Sequence, residues 1–272
     1  PIRGIVVMKN MMKISLLIAL TAFLSFSAFA DGEKEEVVKW SQLPEMGPFG
    51  YAFSSETMFE SVAADDFECI GGDPVVAVRW WGSFYQPIPS VIPYPNSAQW
   101  YDPTTPSDVP ETFLIGFTIS FYANVPAGSD PFMPWAHPGD MIYSESIGMD
   151  EITQILYGTV THTTGVEQNV WQYYASLPDT GFEQEEGVTY WISIQALHRN
   201  QEVQWGWQEC IQPGWNADMV QKGYNKYFEW NLIPNKELAF ELITQEYEIP
   251  EPASIFAMSI AVLGIFLRKR TR

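Results

Sequence analysis

The stretch from Asp31 to Glu248 predicts an all-β domain, an antiparallel β-sandwich, and three features of the sequence carry that expectation. Apolar residues recur at period two, not 3.6. The punctuation between apolar runs is Gly, Pro, Asn and Asp, and no long amphipathic helical stretch interrupts the pattern. About 218 residues are enough to bury a substantial core, and one domain accounts for them.

The elements follow in order. Val37–Gln42 (VVKWSQ) reads as a first strand, and Tyr51–Phe53 as a short second one after a Pro- and Gly-containing turn. Ser61–Cys69 contains AADDFEC, with Phe67 expected inward and the acids outward. In Val75–Gly82 (VVAVRWWG), alternation places Val76, Val78 and Trp80 on one face and Val75, Ala77, Arg79 and Trp81 on the other. Gln86–Pro110 holds seven prolines and cannot be a central strand. Its length is that of a functional loop or a loose insertion.

Thr112–Val125 re-enters the core, with clean alternation from Phe117 to Phe121. Met133–Asp140 reads as an irregular connection and Met141–Tyr143 as the start of a short strand. Thr153–Thr164, Asn169–Leu177 and Gly187–Leu197 are rich in β-formers. Gln204–Cys210 (QWGWQEC) puts Trp205 and Trp207 on one face. An aromatic-rich loop through Trp215, Tyr224, Tyr227 and Trp230 then leads to a last strand at Glu237–Thr244.

Both flanks differ from this body. Residues 1–30 combine seven residues ahead of Met8, read as upstream sequence outside the fold, with a secretory signal: Lys9 and Lys13, an apolar helical run from Ile14 to Phe26, and small residues Ala28 and Ala30 framing a cleavage site. At the other end, residues 249–272 hold a Pro250-Glu251-Pro252 box, an uncharged run from Ala253 to Leu267, and a basic cluster of Arg268, Lys269, Arg270 and Arg272. As a helix the run would be about 22 Å long, short of the roughly 30 Å of a bilayer core. Snorkelling cations would complete the anchor and hold that end in the cytoplasm, leaving the body outside. Pro250 and Pro252 favour an extended segment just before the span, a form that a processing enzyme can grip.

The body carries seven basic against 32 acidic residues, a net −25. Phosphate backbones would be repelled, so nucleic acid is excluded as an expected partner, whereas cations would be attracted. Asp65, Asp66, Glu68 and Asp73 crowd one corner and are candidate calcium ligands, in a spacing unlike that of an EF-hand. Facing water, or capping a turn through Asp66, is the competing account. Cys69 and Cys210 lie in the exported part, where a bridge between them would close a loop of about 140 residues and contribute roughly 4 to 5 kcal/mol. Two buried thiols are the other reading.

No catalytic residue stands out. His137, His162 and His198 sit singly, no nucleophile elbow is present, and 32 acids supply many carboxylate pairs while marking none. Eleven tryptophans raise a different chemistry, since flat aromatic faces stack on sugar rings. Core packing explains most of them. Trp100, Trp135, Trp215 and Trp230 lie in loop-like segments and are the candidates for glycan contact.

The box, apolar run and basic end closely resemble the PEP-CTERM sorting signal, which is recognised by exosortase, an integral-membrane processing enzyme. That resemblance implies an exosortase-type partner, a transient inner-membrane anchor through the C-terminal helix, and delivery to the cell surface or an exopolysaccharide matrix. Phrases within the body, among them VKWSQLP at Val37–Pro44, AADDFEC at Ala63–Cys69, VRWWGSF at Val78–Phe84, FTISFYANVPAG at Phe117–Gly128, AHPGD at Ala136–Asp140 and YWISIQA at Tyr190–Ala196, resemble a family of exported domains found in front of such tails. This second resemblance implies a sandwich of jelly-roll or fibronectin-like type and brings no activity with it. The expectation is a non-enzymatic surface or matrix protein without cofactor, calcium aside. A carbohydrate-binding module with a defined glycan ligand is the alternative, and a hydrolase with unidentified carboxylates a third.

Overall fold

The computed structural model describes residues 34–85, 114–163, 167–178, 180–198, 204–211, 217–223 and 227–247. The chain divides into a compact body, Val37–Gln245, and a unit made of the two chain ends. The expected signal helix, the sorting box, the C-terminal helix and the Pro-rich stretch lie outside the described residues. No helix among the described residues is long and apolar enough to cross a membrane.

The described residues are all-β, with thirteen strands in two antiparallel sheets. They are β1 (Lys34–Gln42), β2 (Ala52–Ser54), β3 (Val62–Glu68), β4 (Ala77–Tyr85), β5 (Leu114–Val125), β6 (His137–Gly148), β7 (Thr153–Thr161), β8 (Glu167–Ser176), β9 (Thr189–His198), β10 (Gln204–Gln208), β11 (Val220–Gly223), β12 (Tyr227–Leu232) and β13 (Phe240–Tyr247). One sheet has the order β12-β11-β3-β9-β5-β6. In the other, β4 is the hub. Its one side pairs with β8, which carries β7, and its other side pairs with β13 near the start and β10 near the end. β13 then carries β1, and β10 carries β2.

Alternation sends one side chain of each strand pair into the gap between the sheets. Trp80, Trp205, Trp207, Tyr173, Phe240 and Leu242 from the seven-stranded sheet meet Phe67, Phe117, Phe121, Ile192 and Ile194 from the six-stranded one. Tight aromatic contacts tie the sheets together: Phe117 lies 5.1 Å from Trp80 and 4.9 Å from Trp205, both edge-to-face. A Cβ on Gly82 would overlap the Trp205 indole, so the glycine is the seat on which that ring lies. The outer faces are also partly covered. Trp81, Val160, Val170, Cys210 and Ala239 cluster behind the seven-stranded sheet, and Ala64, Tyr122, Trp191, Val220 and Trp230 behind the other.

Some expectations need correction. β6 runs the full length of β5, taking in His137–Asp140 despite its proline and glycine, because it is an edge strand and bulges absorb the misfit. The aromatic-rich loop contains β11 and β12, so Trp230 is a strand residue, buried behind β3 and β9. Val75 packs inward through a bridge to Phe182, ahead of the strand proper.

Cys69 and Cys210 are not bridged. Cys69 follows β3 and faces the core between the sheets, whereas Cys210 follows β10 and packs behind the seven-stranded sheet, so a layer of backbone separates the two thiols. Native protein is therefore expected to resist a thiol reagent that labels both cysteines after unfolding. Intact-mass measurement with and without reductant checks this; a mass change of two hydrogens would show a bridge instead.

Candidate functional site

Asp65 and Asp66 sit where β3 loses its neighbour. β11 pairs with β3 only as far as Ala64, and just before Val220 the Met219 N–H donates to the Lys236 carbonyl instead. The gap is filled by polar contacts. The Ala217 N–H donates to Asp66 Oδ1 (3.1 Å), and the Asp66 N–H donates to Asp65 Oδ1 (3.0 Å). Asp65 shares its strand face with Phe67, two residues on, so period two itself carries this acid inward towards the other sheet. There its Oδ2 accepts from the Leu238 N–H (2.6 Å) and the Gln42 amide (3.2 Å). The same amide reaches Glu237 Oε2 at 3.2 Å.

The outcome is three carboxyl groups, Asp65, Asp66 and Glu237, each able to offer an oxygen within 4.8 Å of the others. All three are buried, as is Gln42. The cluster joins β3 of one sheet to β1 and the approach to β13 of the other. It is a polar staple across the sandwich.

Three negative charges in so dry a place cannot all persist without compensation. Burial pushes the Asp65 carboxyl well above the ordinary range, and the neighbouring Glu237 and Asp66 push it further. Burial likewise pushes Asp66 up to about 7; the Ala217 N–H works against this and Glu237 with it. Two agents could neutralise the group: protons shared among the carboxyls, or a hard divalent cation of the calcium kind, which takes oxygen ligands.

The four candidate calcium ligands of the sequence do not all meet. Asp65 and Asp66 come together, but Glu68 ends β3 on the exposed side and Asp73 is exposed beyond the turn, its carbonyl receiving Lys39. The expectation that the acids of AADDFEC face outward fails for both Asp65 and Asp66. The third member, Glu237, lies far along the chain and carried no local signal.

A second polar group surrounds Glu56, which is fully buried. Its Oε2 accepts the Trp205 N–H (2.8 Å) and lies 2.6 Å from His198 Nε2, while Oε1 accepts the Ser54 hydroxyl at 3.2 Å. The order of contacts matters. Ser54 meets the carboxylate, and Ser61 meets the Ser54 hydroxyl and the Glu56 backbone, so neither hydroxyl is placed to give its proton to the His198 imidazole, as a serine nucleophile requires. His137 and His162 are held by the Trp135 carbonyl (2.9 Å) and the Gln168 side chain (2.8 Å).

A family model described as a domain of unknown function, DUF7901, matches residues 38–250. The chain belongs to that family. The DUF7901 match begins inside β1 and runs past β13, so Gln42, Asp65, Asp66 and Glu237 all fall within it. No curated protein and no solved structure matches the chain.

Among the described residues of this DUF7901 body most tryptophans serve packing. Trp80, Trp81, Trp191, Trp205 and Trp207 are fully or almost fully buried. Of the four proposed glycan contacts, Trp100 and Trp215 lie outside the described residues. Trp230 is buried, with Lys222 Nζ 4.2 Å above its ring and Tyr122 edge-on at 6.0 Å. Trp135 is half-buried and donates its indole N–H to the Trp230 carbonyl (3.1 Å).

Proposed function

We propose that this chain is an exported, non-enzymatic protein of the cell surface or extracellular matrix, sorted by an exosortase-type enzyme and associated with exopolysaccharide, its jelly-roll or fibronectin-like sandwich acting as a structural or adhesive module. One observation carries the reading: an uncharged run preceded by Pro250-Glu251-Pro252 and followed by Arg268-Lys269-Arg270, at the far end of a chain that opens with a leader-like segment. Support comes from the body between. The DUF7901 match occupies the interval between the two flanks, and its dense aromatic core suits a durable module. Membrane attachment, in this reading, runs through the C-terminal helix and is transient.

The sugar-platform alternative has less to stand on. Trp230 is buried beneath Lys222 and Trp135 has its polar edge engaged. Saturable binding of the body on a glycan array, lost on changing one loop tryptophan to Ala, would reverse that judgement.

Changing Pro250, Glu251 and Pro252 together to Ala is expected to leave the protein uncleaved and membrane-bound in its own host. Fractionation with an antibody to the body reads this out directly. Processing and release at the normal rate would remove the sorting reading.

A further inference from the structure

Each sheet of a sandwich ends in strands whose outer N–H and C=O groups have no ladder partner, and exported proteins blunt such borders with charge, proline or brevity. The border strands described here follow that rule with one exception. β1 carries Lys34, Glu35, Glu36 and Lys39; β6 carries Pro138, Asp140 and Glu145; β12 carries Glu229; and β2 is three residues long. β7, which pairs only with β8 among the described strands, is nine residues long (TQILYGTVT) with neither charge nor proline.

Its apolar residues are also on display. Ile155, Leu156 and Tyr157 are exposed by 50%, 46% and 43%. Three consecutive exposed positions are not what alternation produces. The register shift at Leu156–Gly158 against β8 breaks the pattern there. In a body of net −25, an uncharged run with an exposed apolar knob, Tyr157 braced edge-on against Trp81 at 5.6 Å, stands apart from the rest of the surface.

We propose that β7 is a self-association edge, pairing antiparallel with β7 of a second copy so that the two seven-stranded sheets continue into one. The charge pattern selects that occupant. Pairing about a two-fold near Tyr157 sets Thr153 against Thr161 and Ile155 against Thr159, with no like charges opposed, and each other border strand described either carries charge or is three residues long. The apolar knob is buried in the same step. Because the two bodies repel as wholes, added salt screens the repulsion and strengthens the pairing, the reverse of an interface held by ion pairs.

Cysteine cross-linking of the full chain in mild detergent tests this. The native thiols are buried, so Tyr157→Cys places a reactive thiol at the two-fold and Ile70→Cys places one on exposed surface elsewhere. Under mild oxidation, Tyr157→Cys is expected to give a disulfide-linked species of twice the chain's mass, rising with salt, and Ile70→Cys is not. Adding Leu156→Lys to the Tyr157→Cys chain is expected to cut the linked fraction about tenfold or more while leaving the circular dichroism spectrum unchanged. Equal linkage at both positions, no linkage at any salt, or indifference to Leu156→Lys with the fold intact would each overturn the proposal.

Discussion

Raising the pH from about 5 to about 8 is expected to lower the unfolding midpoint of the body, through the buried carboxyls of Asp65 and Asp66. The sign follows from linkage. Asp66 titrates near 7 in the folded chain against about 4 when unfolded, so between those values the folded state holds more protons and stability falls as pH rises. The contribution is fully present below about pH 4 and lost above about pH 7, amounting to at most about 4 kcal/mol for Asp66 alone. Asp65, raised for the same cause, works in the same direction.

General repulsion in an acidic body also grows with pH, and salt separates the two effects, since it screens exposed charges far more than buried ones. The slope should therefore survive high salt. Asp66→Asn keeps an oxygen for the Ala217 N–H and should flatten it. Calcium in the same experiment distinguishes the two neutralising agents: a midpoint that rises with calcium only at high pH shows a cation replacing protons, and an unchanged one leaves protons in place. A midpoint that stays level from acid to alkali in high salt would remove the cluster's electrostatic account.

Trp205→Ala is expected to cost about 3 to 5 kcal/mol, the range for emptying a large aromatic from a core. The ring is fully buried in β10, edge-on to Phe117 at 4.9 Å and to Tyr173 at 6.2 Å, and rests on Gly82. It therefore touches strands of both sheets, and little around it can collapse into the space. Urea unfolding followed by circular dichroism, with the slope compared as well as the midpoint, measures the loss. A change below about 1 kcal/mol would show that the hub around β4 does not depend on this ring.

These two predictions mark what the sequence could and could not convey. Strands such as β4, β5 and β9 were legible because apolar and polar side chains alternate across a buried and a less buried face, and that alternation is written locally. The first part of β6 was not, because an edge strand tolerates the proline and glycine of His137–Asp140 that read as loop, and β12 was hidden among the aromatics that follow β10. The inward turn of Asp65 was legible from its spacing to Phe67, although the density of acids in AADDFEC suggested solvent. Glu237 was not: its meeting with Asp65 depends on how two sheets stack, and nothing beside it in the chain encodes that. Cys69 and Cys210 mislead for the same reason, since similar turn signals follow both while their side chains serve different layers.

The chain's closing strand has a mechanical side. β13 is not a border but an interior member of its sheet, held between the opening strand β1 and the hub β4. A tug on the body's carboxyl end must rupture ladders on two flanks at once, instead of stripping a single seam, and the strand that gives way would take Phe240 and Leu242 out of the packed interior with it. A domain wired in this way resists being unravelled from its carboxyl end.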